Sequence, residues 1–105
     1  MTNIVEIVAY QLLPNANEEA FYKANEEFQK FVDEQPGVMY RSLTKKQGEE
    51  RRFVDVAYFE NIDATKPMQE AFANNPVCLA LMEFIDNESV SMAYHDIQSQ
   101  TPMPE

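Results

Sequence analysis

The chain of 105 residues has only two glycines, one cysteine and eight basic residues. With Gly37 and Gly48 standing apart, no glycine-rich loop can cradle a phosphate. The single Cys78 excludes an intrachain disulfide and a cysteine zinc site. Its place in the apolar run VCLALM predicts a buried structural thiol. Acidic residues number 18, giving a net charge of −10. Such a surface repels phosphate backbones, so nucleic acid is excluded as a partner. No apolar run approaches the roughly 20 residues that span a bilayer, and no membrane partner is expected. The opening MTNIVEIVAY lacks a basic leader region and alternates like a strand, which argues against a signal peptide and for the cytoplasm. Neither a serine-centred elbow nor a Cys/His nucleophile arrangement is present.

What remains is a globular composition, 45% hydrophobic and 11% aromatic. It fits one domain over residues 1–97, followed by a tail, 98–105, whose two prolines and lack of periodicity predict mobility or draping on a partner. Residues 4–13 alternate as a strand and stop at Pro14. A helix follows, with Asn17 as N-cap, Glu18 and Glu19 in its first turn, and Phe21, Ala24, Phe28, Phe31 and Val32 as one apolar stripe. Pro36-Gly37 ends it. Residues 38–46 and 52–60 read as a hairpin around Gly48. A helical stretch over 64–74 carries Met68, Ala71 and Phe72; Pro76 starts a shorter one with Leu81, Met82 and Ile85 inward. Residues 90–98 form the last strand. The order β-α-β-β-α-β is the ferredoxin-like split βαβ arrangement: a four-stranded antiparallel sheet, helices on one face, first and third strands central. Four of the eight basic residues, Lys45, Lys46, Arg51 and Arg52, flank the hairpin turn and read as a solvated tip rather than an anion lure.

Asp55 is the anomaly, a carboxylate among Phe53, Val54, Val56 and Ala57. Alternation splits each strand into two sets. Val5, Ile7 and Ala9 oppose Ile4, Glu6, Val8 and Tyr10; Val54, Val56 and Tyr58 oppose Phe53, Asp55, Ala57 and Phe59. In the last strand Val90, Met92 and Tyr94 oppose Ser91, Ala93, His95 and Ile97. The more uniformly apolar sets are expected to meet the helices. The opposite face is still too apolar to stay bare, so a second copy of the chain is expected against it. Such a homodimer would enclose a pocket for a small-molecule ligand, lined by Glu6, Tyr10, Asp55, Phe59 and His95, with Arg41 from the second strand as an addition.

The run FVDVAYFENIDATKPMQEAFANNP, then LMEFIDNESVSMAYHDI, and the junction QPGVMYRSL resemble small antibiotic-biosynthesis-monooxygenase-like proteins of the dimeric α+β barrel superfamily. The likeness spans residues 4–97. It implies a homodimer with sheets packed face to face around a pocket, in a family where some members are cofactor-free oxygenases of quinols or phenols and others degrade haem. The oxygenase and haem-degrading relatives often use a pocket tryptophan. This chain has none, and Phe59 takes the aromatic position at the end of the third strand. Haem-degrading relatives place a histidine on a helix, whereas His95 falls on a strand, so haem degradation is set aside.

Two functions follow as expectations. In the first, His95 is the base and Asp55 its orienting carboxylate, removing a phenolic proton so that the anion reacts with O2; Glu6, Tyr10, Arg41 and Phe59 bind substrate. No cofactor and no metal is called for, although Glu6, Asp55 and His95 together would suit iron or manganese if they converged. In the second, the chain is a non-catalytic ligand-binding or assembly module, with His95 exposed near a strand end or held in a structural network.

Overall fold

The long helix shows how local chemistry sets the frame. In the computed structural model, which describes residues 2–102, helix α1 spans Glu18–Asp33. Asn17 keeps extended backbone angles while its side chain accepts the Ala20 N–H at 2.9 Å, satisfying one free donor of the first turn. The apolar stripe turns inward: Phe21, Phe28 and Val32 are buried, and Ala24 and Phe31 pack beside them. Burial of each large side chain contributes about 1.5–3 kcal/mol. At the far end Gly37 has φ +86°, and a Cβ there would lie 2.6 Å from the Ala64 Cβ. Both backbone and space therefore demand glycine.

The remaining elements are β1 (Ile4–Gln11), β2 (Val38–Lys45), β3 (Arg52–Phe59), α2 (Lys66–Asn74), α3 (Pro76–Met82) and β4 (Ser91–Asp96). A 3-10 turn, Ile62–Thr65, leads into α2, and another, Asn87–Ser89, precedes β4. This is the β-α-β-β-α-β order, with Pro76 dividing the second helical layer into α2 and α3. The sheet is antiparallel in the order β2-β3-β1-β4, so β1 and β3 are central. Residues 97–102 carry no helix or strand, and the last three residues of the expected tail lie outside the described residues. Among the described residues, no helix is long and apolar enough to cross a membrane.

Register assigns the faces. Glu6 pairs with Ala57 and Tyr94, Val8 with Asp55 and Met92, and Tyr10 with Phe53. Arg41 pairs with Ala57 and Leu43 with Asp55. These residues share one face, and it is the face that meets the helices: Ile4, Tyr10, Phe53, Ala57 and Phe59 join Phe21, Phe28, Met68, Cys78 and Leu81 in one core.

The expectation that the Val5, Val54 and Val56 sets meet the helices is therefore reversed. Large rings decide it. Tyr10, Phe53 and Phe59 need the depth of a helix layer, and Phe21 sits 5.1 Å from Phe53 between ring centroids. The valine-rich set lies on the other side of the sheet, where Ile7 and Tyr40 are exposed.

The hairpin tip behaves as a solvated turn. Lys45 bonds Glu18 at 2.6 Å, Lys46 and Arg52 bond Glu49 at 2.8 and 3.3 Å, and Arg51 donates to the Leu13 and Pro14 carbonyls. All four cations thus have acceptors of their own. Cys78 on α3 is fully buried, and burial pushes its thiol pKa up to about 11.

Candidate functional site

Between sheet and helices lies a cavity of about 450 Å³. Its floor is Val8 and Ala57 on β1 and β3, and its roof comes from Phe28 and Val32 of α1, Met68 and Phe72 of α2, and Leu81 and Met82 of α3. Val90 and Met92, both exposed, mark the β4 side of the wall. Glu6, Tyr10, Arg41, Asp55 and Phe59 all line this cavity. The space lies within the single chain, on the helix side of the sheet, and not between two sheets as expected.

His95 does not join them. It pairs with Val5 across β1 and β4, on the opposite face from Glu6 and Asp55, and is exposed. The Asp55–His95 unit is therefore not formed within the chain, and the three-residue metal set Glu6, Asp55 and His95 does not converge. Among the described residues no group of three or more His, Cys, Asp or Glu side chains is placed to hold a metal ion. Alternation within β4 was legible; its phase against β1 was not.

Asp55 is held by Arg41. The guanidinium donates from Nε to Asp55 Oδ1 at 3.0 Å and from Nη2 to Asp55 Oδ2. Its Nη1 donates to Asn25 Oδ1 and Gln29 Oε1, each at 2.8 Å, and its carbon lies 4.7 Å from the Phe28 ring centroid. The Arg41 side chain is 2% exposed and that of Asp55 14%, so the pair is desolvated. A bidentate fork with further hydrogen bonds is the geometry that makes such burial tolerable.

Glu6 is placed differently. Burial pushes its carboxyl above the usual range, Tyr94 offsets part of this by hydrogen bonding, and the Asp55 charge adds to the rise. Tyr94 in turn accepts from Gln69 Nε2 at 3.0 Å, and Gln69 also donates to Thr65 Oγ1 at 3.1 Å. Gln69 and Tyr94 were not among the expected site residues. Tyr94 sits opposite His95 in the alternation of β4, so the register that removes one brings in the other.

Tyr10 carries the one buried side-chain polar atom without a hydrogen-bond partner among the described residues, its hydroxyl. The ring is stacked on Phe53 at 6.2 Å. Burial first, then the Asp55 charge, raises its pKa far above that of free tyrosine, while Arg41 opposes the shift. The hydroxyl is therefore a neutral donor. The cavity as a whole is an apolar chamber with a raised-pKa carboxyl and one open neutral donor at its walls, suited to a flat molecule with few polar groups.

No protein-family model matches the chain, and no curated protein does. Solved structures do. SnoaB from Streptomyces nogalater, described as a cofactor-independent oxygenase, superposes in a mutant form with a TM-score of 0.76 at 15% identity, covering 98% of this chain and 100% of that one. An antibiotic biosynthesis monooxygenase-like protein from Nitrosomonas europaea gives 0.77 at 16% identity, covering 96% and 95%. Another from Caulobacter crescentus gives 0.75 at 16%, covering 93% and 92%. With nearly the whole of both chains superposed, this chain shares the fold of these antibiotic-biosynthesis-monooxygenase-like proteins.

Proposed function

We propose that this chain binds a small hydroxylated aromatic molecule in the cavity between sheet and helices and oxygenates it with O2. The observation that carries this reading is the apolar chamber of about 450 Å³ with Glu6 at its wall. A carboxylate whose proton affinity is raised by burial is a stronger base toward a phenol than one in water. Glu6 accepts the phenolic proton, with Tyr94 holding the carboxylate in place. The electron-rich anion then reduces O2. For a ring methylene, the carbon becomes a carbonyl, one oxygen atom enters it, and the other leaves as water with the two hydrogens. The substrate supplies all four electrons. Apolar walls keep bulk water from the reacting anion.

The Arg41–Asp55 pair supports the wall rather than the proton transfer, because each charge is matched by the other and four of the five guanidinium N–H groups are held by Asp55, Asn25 and Gln29. Phe59 and Tyr10 supply ring surface. Dimerisation belongs to the same proposal: the face of Val5, Ile7, Val54, Val56 and Tyr58 is apolar, with Ile7 exposed and the others half-buried, and a second copy is the symmetric cover for it.

A second reading, a ligand-binding module without turnover, is favoured by the placing of His95, which leaves the cavity without an imidazole. Oxygen consumption with a panel of quinols and hydroxylated polycyclic aromatics separates the two. The oxygenase reading expects uptake that falls at least about tenfold in Glu6→Gln. Saturable binding of the same compounds with no uptake leaves the binding module.

A further inference from the structure

Among the described residues Arg41 is the only basic one on the cavity wall, and its charge is already matched by Asp55, with four of its five N–H groups engaged. Nε and Nη2 are on Asp55, Nη1 is on Asn25 and Gln29, and one flat side lies on Phe28. That wall leaves no cation for an anionic ligand. The one neutral donor left open at the wall, the unpartnered Tyr10 hydroxyl, suits a carbonyl or hydroxyl oxygen, while both N–H groups of Gln69 are spent on Thr65 and Tyr94. Glu6, by contrast, is an acceptor with room: a carboxylate offers about four lone-pair sites. Tyr94 takes one of them.

We infer that the cavity selects its ligand by charge, with Glu6 as the specificity-determining residue. It takes aromatic molecules that bring a hydrogen-bond donor, as a neutral hydroxyl or an ammonium, and rejects molecules of the same shape that carry a carboxylate, sulfonate or phosphate. The inference rests on the cavity being the ligand site proposed above. Two charges about 5 Å apart at an effective dielectric near 20 interact strongly enough to change affinity on the order of 100-fold. A ligand carboxylate beside Glu6 meets that repulsion with no donor cation to offset it. An ammonium meets the same field with the opposite sign. The net charge of −10 acts in the same direction on encounter.

Three naphthalene probes of one size test this: 1-naphthol, 1-naphthylmethylamine and 1-naphthoate, titrated at pH 7 against the full chain. With no tryptophan in the protein, naphthalene emission is read against tyrosine alone. The expected result is saturable binding of the naphthol and the amine, with naphthoate weaker by on the order of 100-fold. In Glu6→Gln the ratio of amine to naphthoate affinity narrows by at least about tenfold. Naphthoate binding as tightly as naphthol to the wild-type chain overturns charge selection while leaving the cavity reading intact, and it needs no variant. An unchanged amine-to-naphthoate ratio in Glu6→Gln overturns the role of Glu6. Failure of all three probes to bind overturns the cavity reading, and charge selection with it.

Discussion

Arg41 on β2 holds Asp55 on β3 through two nitrogens at once, inside a layer of aromatic rings. Removing one partner strands the other in a nearly dry setting. Arg41→Ala is expected to cost about 3–5 kcal/mol, a loss read from the urea midpoint by circular dichroism. The double variant Arg41→Met/Asp55→Leu is expected to regain most of that loss, because no buried charge is left unmatched. A double variant as unstable as the single would show that the pair contributes more than mutual compensation.

The Tyr10 hydroxyl has the opposite character, since it is buried without a partner. Tyr10→Phe keeps the ring and its stacking on Phe53 while removing the unsatisfied group. The variant is expected to be more stable than wild type by about 1 kcal/mol. Destabilisation would mean that the hydroxyl has a partner in solution, such as a trapped water.

Glu6 gives the pH dependence. Its folded-state pKa is raised, so the folded chain binds that proton more tightly than the unfolded chain does. Stability from this group is present below the ordinary carboxylate range and falls as pH rises through the raised value. Glu6→Gln removes the slope. Urea titrations between about pH 4 and 8 should show the variant gaining on wild type as pH increases. A constant difference across the range would place the Glu6 pKa at its ordinary value.

Val56 lies mid-strand on the bare face of the sheet, paired with Ile7 on one side and Ser42 on the other. Wild-type chain is expected to sediment as a dimer at micromolar concentration. Val56→Glu should sediment as a monomer with an unchanged far-ultraviolet spectrum, because the substitution points away from the helices. A wild-type monomer would leave that face without the cover proposed for it.

Much of this architecture can be read from residue order alone, for local reasons. Asn17, the phenylalanine stripe and Pro36-Gly37 define α1 without reference to anything distant. Alternation likewise divides the residues of β1, β3 and β4 between two sides, whereas the irregularity between Val38 and Tyr40 breaks it at the start of β2. It does not say which side faces inward, because that depends on how side-chain volume fills the space under the helices. Tyr10, Phe53 and Phe59 outweigh the polar Glu6 and Asp55 beside them, and Arg41 makes the outcome tolerable by pairing with Asp55. Nor does alternation fix the phase between β1 and β4. That comes from the intervening loop, where the Gln11 carbonyl takes the Asp86 N–H at 2.9 Å and the Gln11 N–H donates to Ser89 Oγ at 2.8 Å. These contacts separate Glu6 from His95 and bring it to Tyr94.

Cys78 offers a last consequence. It is the sole sulfhydryl in the chain, it has no exposed surface, and its proton is held to about pH 11. An aromatic disulfide reagent therefore cannot reach it in the closed molecule, and its labelling rate becomes a clock for opening of the α3 layer. Occupancy of the chamber by any compound should slow that clock in proportion to affinity, which gives a ligand screen that requires no knowledge of turnover.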